Sequence, residues 1–412
     1  MADDLDITLG ALPPPAPAAP ISVTLDGGAE EEDRYSRLRL IPWWDQERLR
    51  TSRVMVVGAG ALGNEILKNM ALLGIGYVFL VDMDRVENSN LSRSVLYRAR
   101  DEGQLKAEAA ARAAMDINPD THVHAYAGNV IHDVGLGVFR AVDVVIGGLD
   151  NREARLWVNQ CCWRLTRPFV DGAIEVLNGM ARVFVPPDGA CYECTMNEAD
   201  YRMLAQRRSC ALLSRDQMLE GKVPTTPTTG SVIAGIECQE ALKLLHGRAD
   251  LPTLEGKGFF FNGATHDSFT VTYRRKPDCL SHETWGHIQE TDWTASGTTL
   301  RTCLDRARAD LGPEAALGFV REIVTAFRCA ACGTAEPVFR ALGRLTEREA
   351  RCPTCGESRA YESTHMVTGD EAYLDCTLAE VGIPKFDILT AHSGLEERFY
   401  ELSGDRAAVM GD

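Results

Sequence analysis

No stretch of about 18 apolar residues occurs in the 412-residue chain, so no membrane-spanning helix is expected. The N-terminus also lacks the charged, then apolar, then small-residue order of a secretory leader, and a cytoplasmic location is the expectation. Basic charge is scarce: 43 Lys and Arg face 59 Asp and Glu, a net charge of −16. A surface that acidic repels polyanions at long range, which excludes a general nucleic-acid or anionic-membrane binder. A local basic pocket for one nucleotide stays open. No internal repeat is present.

Against these absences, hydrophobic residues make up 45% and charged residues 25%, the proportions of a globular protein with a sizeable core. The length suits two to three domains of roughly 150 residues. Cysteine is plentiful, at 13. An odd number in a reducing compartment argues against a disulfide framework. Cys329-Ala330-Ala331-Cys332-Gly333 and Cys352-Pro353-Thr354-Cys355-Gly356 stand 19 residues apart, the spacing of a four-thiolate zinc ribbon. A third pair, Cys191 and Cys194, is half a site and needs a distant partner. Cys279 and His282 supply one in the same chemical role, although 84 residues intervene. A thioredoxin-type redox pair is the competing reading, and the preceding loop Pro186-Pro187-Asp188-Gly189 counts against it.

Residues 1–33 hold Pro13-Pro14-Pro15 and the acidic cluster Glu30–Asp33, a composition expected to be a disordered tail. From Arg34 the pattern leads into the apolar run Val54–Val57, which ends in Gly58-Ala59-Gly60-Ala61-Leu62-Gly63. A helical pattern follows to Ala71, then a buried strand Tyr77–Val81 ending at Asp82. Strand, glycine turn, helix, strand and acid is the form of a nucleotide-binding βαβ unit. Further alternation predicts helices over Lys106–Met115, Arg152–Leu165 and Ser231–Leu245, with Val223–Gly230 as a loop. Short strands are expected at 122–127, 143–147, 169–170, 181–185, 259–261 and 269–273. Residues 284–412 read as a helical stretch, the ribbon, and a polar tail around Ile383–Leu389. The fold class is therefore α/β: a doubly wound nucleotide-binding fold with a mixed sheet over residues 34–283, plus a small C-terminal zinc-ribbon domain over 284–412.

The glycine loop is shared with nicotinamide dehydrogenases, so the residues after Asp82 decide. Asp84, Asn90 and Arg93 follow closely and suit a triphosphate better than a dinucleotide. Arg93 and Lys106 are candidates for phosphate, and Asp150 is a candidate for Mg²⁺, which takes one or two carboxylates and shares phosphate oxygens. The plain alternatives are solvated surface charges for Arg93 and Lys106, and a helix N-cap for Asp150.

Taken in order, these residues resemble the ubiquitin-activating enzyme superfamily, which includes the bacterial adenylyltransferases of molybdopterin and thiamine sulfur carriers. The likeness covers about residues 34–282. It rests on Arg34-Tyr35-Ser36-Arg37, Gly58–Gly63, Asp82, Asp84, Asn90-Leu91-Ser92-Arg93, Lys106 and Asp150-Asn151. The resemblance implies that Asp82 holds ribose, Arg93 and Lys106 hold phosphates, and Asp150 holds magnesium. Arg37 would reach the nucleotide of a partner subunit, so a homodimer is expected. The Cys191/Cys194 pair matches the family's first zinc half-site and strengthens the pairing with Cys279 and His282, a histidine where a fourth cysteine is usual. Ser94 stands where Gln is common.

The implied reaction is MgATP-dependent adenylation of the C-terminal glycine of a ubiquitin-like protein. Cys210, flanked by Arg207 and Arg208 within a crossover loop of about 195–230, is the candidate for a thioester passed on to a conjugating enzyme. Its bland alternative is a buried small hydrophobe, the role expected of Cys161, Cys162 and Cys238. Other readings are a sulfur-carrier adenylyltransferase served by a sulfur donor and a non-catalytic nucleotide-binding scaffold. The ribbon is expected either to bind the carrier or conjugating enzyme, or to act as a small-domain staple.

Overall fold

The computed structural model describes residues 32–209 and 224–411. Almost all of the N-terminal tail, and Cys210 with the middle of the expected crossover loop, lie outside the described residues.

Valine-rich runs with few polar side chains make the central parallel strands of the first sheet. Its strands are β1 (Arg53–Val57), β2 (Tyr77–Val81), β3 (His122–Tyr126), β4 (Val144–Gly147), β5 (Phe169–Glu175), β6 (Asn178–Phe184), β7 (Lys257–Asn262) and β8 (Asp267–Thr272). They lie in the order β3-β2-β1-β4-β5-β6-β7-β8. Pairing is parallel from β3 through β5 and antiparallel from β5 through β8. All five residues of β2 and the last four of β1 are buried, as strands covered on both faces require.

Helices α1 (Gln46–Thr51), α2 (Ala61–Leu73), α3 (Lys106–Ile117), α4 (Leu136–Arg140), α5 (Arg152–Arg164), α6 (Glu198–Ser209) and α7 (Pro227–His246) accompany it. One face packs Val54, Val56 and Leu80 against Ile66 and Met70 of α2 and Ile233 and Ala241 of α7. The other packs Met55, Phe79 and Val145 against Phe139 of α4 and Val158 and Cys162 of α5. No helix among the described residues is long and apolar enough to cross a membrane.

Several boundaries differ from the sequence pattern, and two show the physical reason directly. Helix α7 starts at Pro227 rather than Ser231, because Thr226 caps it (its Oγ1 accepts from Thr229 N at 3.3 Å) and proline suits the first helical position. Strand β5 continues through Asp171 and Gly172 to Glu175, where its hairpin with β6 begins. Asp171 is tolerated inside the sheet because Arg155 and Arg182 neutralise it.

The C-terminal part forms a second, six-stranded sheet. It contains β9 (Ile288–Thr291), β10 (Ala316–Arg328), β11 (Ala335–Ala341), β12 (Ala360–Val367), β13 (Ile388–Ser393) and β14 (Glu396–Leu402). The order is β11-β10-β13-β14-β9, with β12 against β10. Helices α8 (Leu300–Leu311), α9 (Glu347–Ala350) and α10 (Arg406–Met410) complete it. The stretch read as a polar tail is thus a hairpin inside a sheet. Glu396, Glu397 and Arg398 are exposed at its start and mask the buried run Phe399–Leu402.

This second sheet is anchored on the first. Phe386, Ile388, Phe399 and Met410 share a core with Met55 and Phe79. Gly137 N donates to Phe386 O at 2.9 Å. The buried Arg321–Asp387 pair, at 2.5 Å, reaches across as Arg321 also donates to Val134 O at 2.7 Å.

Candidate adenylation site and thiol clusters

In the strand order, β1 sits between β2 and β4, so the chain winds away in opposite directions from the β1/β4 boundary. Ligands of open α/β sheets bind at such a switch point, beyond the carboxyl ends of the strands. The glycine loop occupies it. Gly58 has φ +95° and lies so close to Gly148 that a Cβ would come 2.6 Å from the Gly148 oxygen. A Cβ on Gly63 would lie 1.8 Å from Gly58 O, so the helix start packs directly on the loop. Gly60, by contrast, has open space where its side chain would be, and it is the N-cap of α2. Two of the glycines close the turn and the third leaves room for a phosphate at a helix N-terminus.

Two residues not anticipated from sequence hold this loop. Asn64 donates to Ala59 O at 2.7 Å and Gly60 O at 3.1 Å, and accepts from Leu96 N at 2.9 Å. The buried Tyr97 hydroxyl donates to Ala59 O at 2.6 Å. The only signal for Asn64 was a polar residue within the apolar start of a helix; Tyr97 offered none.

Asp82 ends β2 and takes Ala59 N on one oxygen and Asp84 N on the other, each at 2.7 Å. Burial pushes its carboxyl up, and the Lys106 ammonium and these amides oppose that. Lys106, at the start of α3, donates to Asp84 Oδ2 at 2.9 Å with its side chain only 13% exposed. Asp82, Asp84 and Lys106 thus form one connected group beside the loop. Arg93 is half-buried and donates to Ser89 O at 2.6 Å. Asn90 is buried and its oxygen accepts from Glu87 N at 2.9 Å, closing the 3₁₀ turn that carries the Arg93 segment.

The N-cap of α5 is Asn151, whose Oδ1 accepts from Ala154 N at 2.7 Å. Asp150 is therefore not the cap. It is exposed, with only a long 3.5 Å contact from the Asn151 amide, and it follows Gly148, which touches Gly63. Its turn is held from behind by Arg155, which donates to Leu149 O at 2.5 Å, to Gly172 O at 2.9 Å and to Asp171 Oδ1 at 2.9 Å. The donor set fits MgATP: a cradle that a Cβ would fill, an open N-terminal helix turn, a lysine, and a free carboxylate. Arg37 is 85% exposed, with Glu32 at 3.6 Å.

Cys191, Cys194, Cys279 and His282 come together, their ligand atoms all within 4.8 Å of one another. The same holds for Cys329, Cys332, Cys352 and Cys355. Sulfur separations are 3.7 Å for Cys191–Cys194, 3.5 Å for Cys191–Cys279, 3.4 Å for Cys329–Cys355 and 3.6 Å for Cys332–Cys352. A tetrahedral ion with Zn–S bonds of about 2.3 Å sets its sulfurs roughly 3.8 Å apart, so both clusters are compatible with zinc. In the first, the hydrogen bond from Cys191 pulls the Cys194 thiol down, and the same contact pushes the Cys191 thiol up. Cys161, Cys162 and Cys238 are buried, and desolvation raises all three thiols. They are packing residues.

A doubly wound sheet whose switch point carries a glycine turn at an open helix N-terminus, a lysine and an exposed carboxylate has the form of a nucleotide-binding enzyme. The chain belongs to the ThiF family, whose model matches residues 33–281, and is an ATP-dependent adenylyltransferase of the E1-like superfamily. Similar proteins include the SAMP-activating enzyme E1 of Haloferax volcanii, 36% identical over 270 residues, covering 62% of this chain and 91% of that protein. The sulfur carrier protein adenylyltransferase of Thermus thermophilus is 34% identical over 258 residues, covering 61% and 90%. In fold, the chain is similar to the crystal structure of E. coli MccB with ATP, with a TM-score of 0.51, 23% identity, and 62% and 75% of the two chains covered.

Proposed function

We propose that the enzyme adenylates the C-terminal glycine carboxylate of a ubiquitin-like carrier protein. The observation that carries this reading is the joint arrangement of the glycine cradle, Asp82, Asp84, Lys106 and Asp150 at one strand-order reversal, in a chain similar to enzymes named for sulfur carriers and for SAMP. A carrier carboxylate oxygen attacks the α-phosphorus of ATP, the bond to the β-phosphate bridging oxygen breaks, and pyrophosphate leaves. Lys106 and Arg93 offset the extra negative charge of the transition state, and Asp82 orients the ribose. Magnesium, held by Asp150, neutralises phosphate charge when bound. Val176, Leu177, Val232 and Phe269, all exposed on or beside the antiparallel half of the sheet and the start of α7, offer the carrier an apolar contact.

The acyl group then passes to the Cys210 thiol, AMP leaves, and a conjugating enzyme accepts the carrier. Arg37 serves the nucleotide of the second subunit in a two-fold homodimer in the cytoplasm. Similarity to the Thermus enzyme favours a second reading equally: the adenylate goes to a sulfur donor and no thioester forms. One experiment separates them. With enzyme, MgATP and carrier, a reductant-sensitive adduct is expected, lost in Cys210→Ala while ATP–pyrophosphate exchange survives. An adduct that persists in that variant overturns the role of Cys210. Carrier thiocarboxylate formed from added sulfide without any adduct establishes the second reading instead.

A further inference from the structure

A groove of 440 Å³ opens on the ribbon, and none of its lining residues belongs to the adenylation site. Four guanidinium groups line it, from Arg340, Arg348, Arg351 and Arg359, against the carboxylates of Glu336 and Glu349. That is an excess of two positive charges on a molecule whose net charge is −16. Field lines concentrate in a concave site of one sign, so the contrast matters more there than on a flat surface.

The groove is built on a fixed floor. The Arg359 side chain is 3% exposed, lies 4.7 Å over the Phe327 ring, and donates to Glu349 O at 2.6 Å as well as to Glu336. Arg340 is engaged by Glu349 at 2.6 Å. Arg348 and Arg351 are different: both are exposed, and Arg351 has only a distant Glu347 at 3.6 Å. They are the two cations available to a ligand. Pro337, Val338 and Pro353 add apolar lining.

The groove also runs beside a strand edge. Glu336, Pro337, Val338 and Arg340 belong to β11, which pairs only with β10 among the described residues. Proline in β11 is the usual mark of an edge strand. Pro337 has no N–H and Ala341 N is already taken by Val381 O at 2.9 Å, so the groove and its charges, rather than strand pairing, are what this limb offers a ligand.

We propose that this groove binds an extended acidic peptide segment of a partner protein. Its carboxylates meet Arg348 and Arg351, and an apolar side chain rests on Val338 and Pro353. A nucleic-acid strand fits less well, because the acidic surface of the rest of the molecule repels a long polyanion more than a short peptide.

The test uses the full-length, zinc-loaded protein and short fluorescein-labelled peptides in fluorescence anisotropy. Saturable binding is expected for a peptide of alternating Glu and Val, and none for its Lys–Val counterpart. The variant R348E/R351E, altered only at exposed positions, is expected to bind about tenfold more weakly or worse, with ATP–pyrophosphate exchange unchanged. Raising salt should weaken binding to the unaltered protein. No saturable binding of the Glu–Val peptide, equal binding by R348E/R351E, or preferential binding of a single-stranded oligonucleotide would each overturn the proposal.

Discussion

Around Cys191, Cys194, Cys279 and His282, both thiols of the first pair are buried, and the Trp163 ring lies 4.8 Å from that of His282. Glu193, between the two ligands, accepts from Tyr201 of α6 at 2.9 Å and from Ser281. In the ribbon, Cys332 and Cys355 are exposed, and the nearby core consists of Val324, Phe327, Leu345 and Ala350. The donor chemistry is nearly the same, yet the surroundings differ. The first cluster joins the chain before α6 to the chain beyond β8, against Trp163 of α5. The second closes a small limb that has little apolar surface of its own, where a bound metal would be coupled to local folding.

Breaking each cluster separately tests that contrast and carries the largest effect. Cys194→Ser is expected to lose one zinc equivalent and several kcal/mol of global stability, with exchange activity falling alongside. Cys355→Ser is expected to lose one equivalent too, but to admit protease only near residues 329–360 and to keep exchange within about twofold of the parent. Equal loss of exchange in both would mean that the ribbon supports the adenylation domain after all.

A variant that damages chemistry without folding sharpens the same comparison. Lys106→Ala should lower ATP–pyrophosphate exchange by about 10²–10³ while retaining two zinc equivalents and the parent thermal midpoint. A fall in midpoint matching that of Cys194→Ser would reassign Lys106 to structure, through its contact with Asp84.

The smallest effect concerns a group that lies close to neither cluster. Glu237 of α7 is fully buried against Gly172, and neither of its carboxylate oxygens has a hydrogen-bond partner. Desolvation, then the Asp171 charge, push its carboxyl well above the ordinary value of 4.5, with Arg155 opposing. The folded state therefore holds this proton more tightly than the unfolded chain does. Stability is unaffected below about pH 4.5, where both states are protonated, and falls as pH rises toward the folded-state value. Glu237→Gln removes the titration. It should raise stability at pH 8 by about 1–3 kcal/mol in urea denaturation, with the gain shrinking toward pH 5. A gain of the same size at both pH values would mean that Glu237 is already ionised, and stably so, across the range. In this background the Cys194→Ser variant becomes easier to isolate and compare.

Much of the candidate site's backbone was legible because its constraints are local. A turn with φ +95° at Gly58 and a helix start pressed against it at Gly63 leave no room for a side chain, so the requirement is written as glycine at fixed spacing. The C-x-x-C pairs are local for the same reason: two residues set two sulfurs on one turn. Asn64 and Tyr97 were missed because their hydrogen bonds to Ala59 span 5 and 38 positions and need the folded loop to exist. The hairpin β13–β14 was missed because its exposed half, rich in Glu and Arg, outweighs the buried half in a linear reading.

The sequence by itself determined the nucleotide loop, the acid at the end of β2 and the spacing of the ribbon thiols, since each is fixed by neighbours along the chain. Only the tertiary structure decided that Asn151 rather than Asp150 caps α5, leaving a carboxylate free beside the loop. It brought Cys191 and Cys194 within reach of Cys279 and His282, the pairing the sequence suggested across 84 residues, and it alone buried Glu237 without a hydrogen-bond partner. These depend on which distant segments the sheet brings together, and burial or pairing across the fold leaves no periodic trace in the chain.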